Sequence, residues 1–202
     1  MDPISKLAEL FAYFPGIGER QSRRFVYYLL NRNQDYLDQL AAYIKNIKNE
    51  VKQCTLCFRQ HESRTPECEN CLLRAASNSL LVVEKDSDLE TIKKSKAYDG
   101  LYFVLGGLVP VVEKNTLSKV RIQELIKRIE VLSQKNSLQE VILAFSLSPQ
   151  GDHTDTHVRE TLNTLSTEKG FVVHSLGRGL STGTELEYSD SDTIKNALKN
   201  RQ

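Results

Sequence analysis

Apolar residues in the first thirty positions recur at helical spacing. Ile4, Leu7, Ala8, Leu10, Phe11 and Phe14 share one face, Pro15-Gly16-Ile17-Gly18 interrupts, and Phe25, Val26, Leu29 and Leu30 resume the pattern. The spacing predicts a helix over 4–14, a tight glycine turn and a second helix over 20–30. A third helix is expected from Tyr36 to about Val51, with Leu37, Leu40, Ala41, Ile44 and Ile47 on a face that serves the core. From Ser79 the pattern changes. Short apolar runs at 80–83, 102–105, 141–145 and 171–174 alternate with helical stretches at 88–94, at 120–132 and from about 153 to 167. Strands alternating with helices imply βαβ units around a mostly parallel sheet. Leu186-Glu187-Tyr188 is expected as a short edge strand. Ser191 to Leu198 is expected as a final helix packed on the body or on another subunit. The fold class is therefore α/β, assembled from several modules.

All four cysteines fall between the helical stretch and the first long strand, as Cys54-Thr-Leu-Cys57 and Cys68-Glu-Asn-Cys71. In C-x2-C-x10-C-x2-C each pair can grip one side of a tetrahedral Zn²⁺, and four thiolates close the coordination shell. The site therefore reads as structural, with one zinc per chain. The loop between the pairs, with Glu62, Arg64, Thr65 and Pro66, is too polar to build a core, so the metal would supply its folding energy. Two disulfides or four unpaired thiols are the alternatives. His61 is expected as a solvated loop residue.

Composition narrows the function classes. The 202 residues hold 27 Lys plus Arg against 26 Asp plus Glu, a net charge of +1, with 40% hydrophobic residues. That balance excludes a long disordered chain. It also means that any nucleic-acid site must come from local clustering of charge. The longest uncharged apolar stretch, Leu101 to Val112, is broken by Gly106, Gly107 and Pro110 and is too short to span a membrane. The N-terminus MDPISKLAEL lacks a signal-peptide pattern, so a cytoplasmic location is expected.

Basic clustering is found at the N-terminus. Arg20, Arg23, Arg24 and Arg32 lie in a segment from Arg20 to Gln34 that contains no acid. Gly16 and Gly18 permit backbone geometry that other residues avoid and leave amides bare at the start of the second helix, where a phosphate is favoured. The stretch resembles the helix-hairpin-helix motif, which grips DNA phosphates and reads little sequence. That resemblance implies DNA contact by Gly16, Gly18, Arg20, Arg23 and Arg24. The bland reading is an αα-hairpin with a solvated arginine face, and Glu19 favours it.

In the second half, Glu84 ends the first strand and Asp152 follows the third, at the edge of a parallel sheet where ligands bind. The order of elements resembles the Toprim fold, in which a Glu after the first strand and a D-x-D pair after the third hold Mg²⁺. Here the pair reads Gln150-Gly151-Asp152. An amide keeps an oxygen but removes a charge, so Mg²⁺ binding should be weaker. His153 and His157, with Asp152 and Asp155, form either a metal grip or a polar helix start capped near Asp152 or Thr154. Gly177, Gly179 and Gly183 suggest a phosphate loop, but G-x-x-x-x-G-K-[ST] is absent.

The stretches FPGIGERQSRR, the four cysteines, LLVVEKDSDLETIKKSKAYDGLYFVLGG, EVILAFSLSPQGDHT and GRGLSTGTELEYSD, in this order, resemble the RecR family of bacterial recombination mediators over nearly the whole chain. Arg20 stands at the family's Lys position and Arg24 at its DNA-contacting Arg. Arg178, Gly179, Leu180 and Glu187 match its C-terminal motif, while Ser181 and Thr184 depart from it. The resemblance implies a non-catalytic protein that binds DNA as an oligomeric clamp, homodimer or homotetramer. With RecO, and in some settings RecF, it would help RecA load onto gapped or single-stranded DNA. Glu84 and Asp152 would form the docking site for RecO or a weak Mg²⁺ site. The domain organisation expected is a helix-hairpin-helix DNA-binding and oligomerisation region over 1–53, a zinc finger over 54–71, a Toprim domain over 79–175 and a C-terminal oligomer contact over 176–202. The competing readings are a Mg²⁺-dependent Toprim nuclease or topoisomerase-like enzyme, and a scaffold without nucleic acid.

Overall fold

The computed structural model describes residues 2–111, 120–136, 138–177, 183, 185–189, 191 and 193–195. The chain forms two compact units, Met1–Val51 and Lys52–Gln202.

The first unit is helical: α1 (Pro3–Ala12), α2 (Glu19–Leu30) and α3 (Gln34–Glu50). Asp2 caps α1 by accepting from the Ser5 amide at 3.0 Å, with Pro3 entering the first turn, where a missing N–H costs nothing. Asn33 caps α3 by accepting from the Tyr36 amide at 3.1 Å. Helices α1 and α2 pack through Ala8, Ser22 and Val26, which are buried, with Phe11 edge-on to Phe25 at 5.6 Å. The expected core role of α3 is not met. It buries no residue; Leu37 and Leu40 are only half-buried, and Ile44 and Ile47 are 64% and 57% exposed. Two short helices offer too little apolar surface to cover the whole face of a seventeen-residue third one.

The second unit opens with a two-stranded antiparallel ribbon, β1 (Lys52–Gln53) and β2 (Gln60–His61), followed by α4 (Glu69–Leu73). Then come β3 (Ser79–Val83), α5 (Asp86–Ser95), β4 (Leu101–Val104), α6 (Ile122–Asn136), β5 (Glu140–Ala144), α7 (Pro149–Lys169) and β6 (Val172–Ser175). The four long strands form one parallel sheet in the order β4-β3-β5-β6. Alternation along the strands serves two layers. Leu80, Val82, Phe103, Val141 and Leu143 pack with Leu125 and Ile129 of α6 and Val158 and Leu162 of α7. Leu81, Val83, Tyr102, Val104 and Ala144 pack with Leu89 of α5. The central strands read as near-continuous apolar runs because both faces are covered.

Three local expectations change. Helix α7 begins at Pro149, four residues earlier than expected, and its cap is Ser148, which accepts from the Gly151 amide at 3.1 Å, so neither Asp152 nor Thr154 caps it. Thr154 is buried, donates to the Gln150 carbonyl at 2.8 Å and accepts from the Val109 amide at 2.8 Å. Leu186–Tyr188 is a 3₁₀ turn, so no edge strand forms there. Of the final helix, residues 191 and 193–195 are helical. Its remainder, together with Arg178, Gly179, Leu180, Ser181 and Thr184, lies outside the described residues.

Gly151 sits where no side chain fits. A Cβ there would lie 1.9 Å from the Ser146 carbonyl oxygen, a backbone atom that already accepts from the Ser148 amide at 2.9 Å. Gly151→Ala is therefore expected to destabilise the second unit by about 1–3 kcal/mol. Urea unfolding checks this; an unchanged midpoint would contradict it.

Candidate metal centre and nucleic-acid interface

The ribbon delivers Cys54 and Cys57 at one end of its turn, while Cys68 is the N-cap residue of α4 and Cys71 lies inside that helix. All four are buried and unpaired by disulfides, and their sulfurs lie within 4.8 Å of one another. Cys57 Sγ is 3.5 Å from Cys68 Sγ, and Cys54 Sγ is 3.9 Å from Cys71 Sγ. A tetrahedral ion with sulfur ligands at about 2.3 Å needs edges of about 3.8 Å, so the cluster fits a metal ion and is compatible with zinc. Electrostatics within the cluster are uneven. Hydrogen bonds from Cys57, then Cys68 and Cys71, hold the Cys54 thiol far below its usual range. For Cys68, interaction with Cys54 pushes upward, but hydrogen bonds from Cys57 and Cys71 outweigh it and bring the thiol to about 6. Interaction with Cys54 is the main cause that raises Cys57 and Cys71.

The cysteine hairpin is fastened to the exposed edge of the sheet. Val104 of β4 donates its amide to the Cys57 carbonyl at 2.8 Å, using a group that an edge strand otherwise leaves open. Phe58 packs edge-on to Phe103 at 5.5 Å, Arg59 pairs with Glu90 at 2.8 Å, and the Gln60 amide donates to Asp86 at 2.7 Å. On the other side, Asn70 donates to the Gly100 carbonyl at 3.3 Å and Arg74 pairs with Asp99. These tethers were not legible in the sequence, since the partners are 25 to 47 positions apart. His61, expected in solvent, is buried instead. Its Nδ1 accepts from the Ser63 amide at 3.2 Å, because the ribbon turns it inward.

Glu84 follows β3 and Asp152 lies in the first turn of α7, after β5. Because β3 and β5 are neighbours while the chain leaves β3 for β4 on its other side, both acids flank the topological switch point of the sheet. The Glu84 side chain is 19% exposed, with Lys85 Nζ at 3.9 Å, and Asp152 is exposed. Among the described residues only the four cysteines form a group of three or more potential metal ligands, so Glu84 and Asp152 gain no third acid. His153 and His157 stack with ring centres 6.4 Å apart and enter no such group, while Asp155 is held by Ser175 at 2.6 Å and Arg159 at 3.5 Å.

At the hairpin, Gly16 has φ +78°, which L side chains rarely adopt. Gly18 differs from expectation: it is extended, at φ −84° and ψ 172°, and serves as the N-cap of α2 without any side-chain cap. Its contribution is bareness, because the amides opening α2 are not covered by a side chain. Arg20, Arg23 and Arg24 are all exposed. Arg23 reaches Glu19 at 3.3 Å, Arg24 reaches Gln21 at 3.2 Å, and Arg32 lies over the Tyr28 ring at 4.0 Å. Glu19, which argued against anion binding from sequence, is thus paired along its own helix.

A helical hairpin with an uncapped, arginine-bearing second helix, followed by a four-cysteine ribbon on a parallel Toprim-type sheet, defines a modular Toprim protein of the nucleic-acid-handling kind. Comparison with known families agrees part by part. The RecR helix-hairpin-helix matches residues 4–48, the Toprim domain residues 78–177 and the RecR C-terminal family residues 179–202. The chain is 34% identical over 200 residues to "Recombination protein RecR" of Dehalococcoides mccartyi, covering 98% of this chain and 93% of the relative. It is 33% identical over 201 residues to the same-named protein of a Cyanothece species (99% and 95% covered), and 31% identical over 202 residues to that of Latilactobacillus sakei (100% and 97% covered). The chain belongs to the RecR family. No described helix is long and apolar enough to cross a membrane.

The sulfur geometry predicts one tightly held metal ion per chain in freshly purified protein. Cys68→Ser, or a strong chelator, is expected to release it and lower the melting temperature on the order of 10 °C, since each kcal/mol moves a chain of this size by roughly 2–4 °C. Elemental analysis alongside calorimetry checks both.

Proposed function

We propose that the chain works in recombinational DNA repair as a non-catalytic mediator that binds DNA as an oligomeric clamp. With RecO, and in some settings RecF, it would help load RecA onto gapped or single-stranded DNA. The observation that carries this reading is family membership over essentially the full length, joined to a hairpin whose bare helix start and exposed arginines suit phosphate contact. In this reading Gly16 and Gly18 present amides to the backbone, and Arg20, Arg23 and Arg24 supply the charge. Zinc, held by Cys54, Cys57, Cys68 and Cys71, is structural. Glu84 and Asp152 serve a protein partner or weak Mg²⁺ binding; with a glutamine at 150, phosphoryl transfer lacks the charge it needs.

A clamp also answers the charge balance. A chain of net charge +1 holds DNA best when arginine clusters from several copies face one duplex. Exposed apolar side chains in the first unit, including Leu10, Tyr13, Phe14, Ile44 and Ile47, are consistent with burial between copies. The proposed division of labour is 1–53 for DNA and self-association, 54–71 for zinc, 79–175 for the Toprim domain and 176–202 for a second oligomer contact.

The test is binding to a gapped duplex across a salt series, with and without Mg²⁺. Arg20→Ala combined with Arg24→Ala is expected to weaken binding to all sequences alike. The salt slope should fall by about one for each phosphate that is no longer neutralised. The DNA should stay intact. Mg²⁺-dependent cuts that disappear with Glu84→Gln would replace this reading with an enzymatic one, and unchanged binding by the double variant would favour a scaffold that does not touch DNA.

A further inference from the structure

The second unit contains a cavity that no step of the proposed function uses. It lies between the first cysteine turn and α6, has a volume of about 210 Å³, and is walled by Leu56, Phe58 and Val131 with Thr55, Glu124 and Lys127 at its edge. Arg128 also lines it. Arg128 is only 9% exposed, its Nε is buried with no hydrogen-bond partner, and its guanidinium enters no ion pair among the described residues. Glu124, one helical turn earlier, forms no ion pair with it. Nε is the one nitrogen of the group that is fully enclosed without a partner, and an anion joining the guanidinium would supply a counter-charge that no described residue does.

The opposite wall is also unusual. Phe58 has φ +60°, a left-handed conformation that bulky residues avoid. It is held there by its amide on the Cys54 carbonyl at 3.0 Å and by the Phe103 and Arg121 side chains, the Arg121 guanidinium being 5.1 Å from its ring. A rigid aromatic wall thus faces a cavity containing a guanidinium.

We infer that this cavity is a socket for the C-terminal residue of a protein partner, an apolar side chain bearing a free α-carboxylate. Guanidinium takes a carboxylate through two parallel hydrogen bonds, which sets the charge and shape of the ligand. Apolar walls require an apolar group beside that charge. Asp and Glu side chains carry no such group, and a chain terminus ending in an apolar residue has both on one residue. Size points the same way. An apolar cavity of about 150 Å³ holds a benzene ring, whereas drug-sized ligands occupy roughly 300–1,000 Å³, so the socket suits one residue with the preceding chain lying over Lys127 and Glu124.

The probe is a fluorescently labelled hexapeptide, Ser-Gly-Ser-Gly-Leu-Phe, with a free C-terminus, titrated against the metal-loaded full-length protein by anisotropy. The free acid is expected to bind saturably, and the C-terminal amide of the same peptide about tenfold more weakly or worse. Arg128→Met should abolish that preference while leaving the melting temperature and gapped-DNA binding unchanged, because it removes a charge that has no ion-pair partner among the described residues. Val131→Trp, which fills the cavity and keeps the arginine, should also block the peptide. No saturable binding up to millimolar protein, equal binding of acid and amide, or a preference that survives Arg128→Met would each overturn the inference. A fall in melting temperature with Arg128→Met would likewise count against it, showing that the guanidinium serves the fold.

Discussion

The convergence of four thiols is the constraint on which the second unit's edge depends. Residues 52–74 have almost no core: only Leu56 is partly buried against the cysteine cluster. Sulfurs up to seventeen positions apart must nevertheless lie within 4.8 Å, and that requirement folds the ribbon and starts α4 at Cys68. Once folded, the ribbon closes the open side of β4 through the Cys57 carbonyl and places Phe58 over Phe103. A metal at this cluster would therefore act at a distance, by keeping an edge strand covered as well as by stabilising its own loop.

The sheet imposes a second constraint. Its order, with β3 and β5 adjacent and β4 outside, opens the switch point at their carboxyl ends. Glu84 reaches that point because it directly follows β3. Asp152 reaches it because Gly151 allows α7 to start in contact with the Ser146 carbonyl. The sheet thus brings Glu84 and Asp152 to one edge, where no third acid joins them among the described residues and Gln150 is uncharged.

The helical unit presents the reverse balance, with weak packing and a well-formed end. Ala8, Ser22 and Val26 are its buried residues, and much of its apolar surface remains open. Its hairpin, by contrast, is defined residue by residue, with Gly16 in the left-handed region and Gly18 extended as a bare cap. In the proposed function, other copies would cover this open surface while the hairpin faces a phosphate backbone.

What the sequence determined by itself was everything carried by short-range pattern. The helical hairpin follows from 3.6-residue spacing around PGIG, the parallel sheet from apolar runs separated by helices, and the metal centre from two C-x2-C pairs. Even the start of α7 was present in Ser148-Pro149, a cap followed by a proline suited to the first turn, although the expected helix began later. Only the tertiary structure decided features that depend on distant partners. The apolar face of α3 stays exposed because nothing in its own unit covers it. His61 is buried because the ribbon turns it inward. Leu186–Tyr188 forms a 3₁₀ turn where an edge strand was expected. Arg128 stands on an ordinary amphipathic helix, and its isolation from any counter-charge among the described residues arises only when the cysteine turn is laid against α6. Periodicity reports which face of an element is apolar; what meets that face, or fails to, is settled by chain segments far away in sequence.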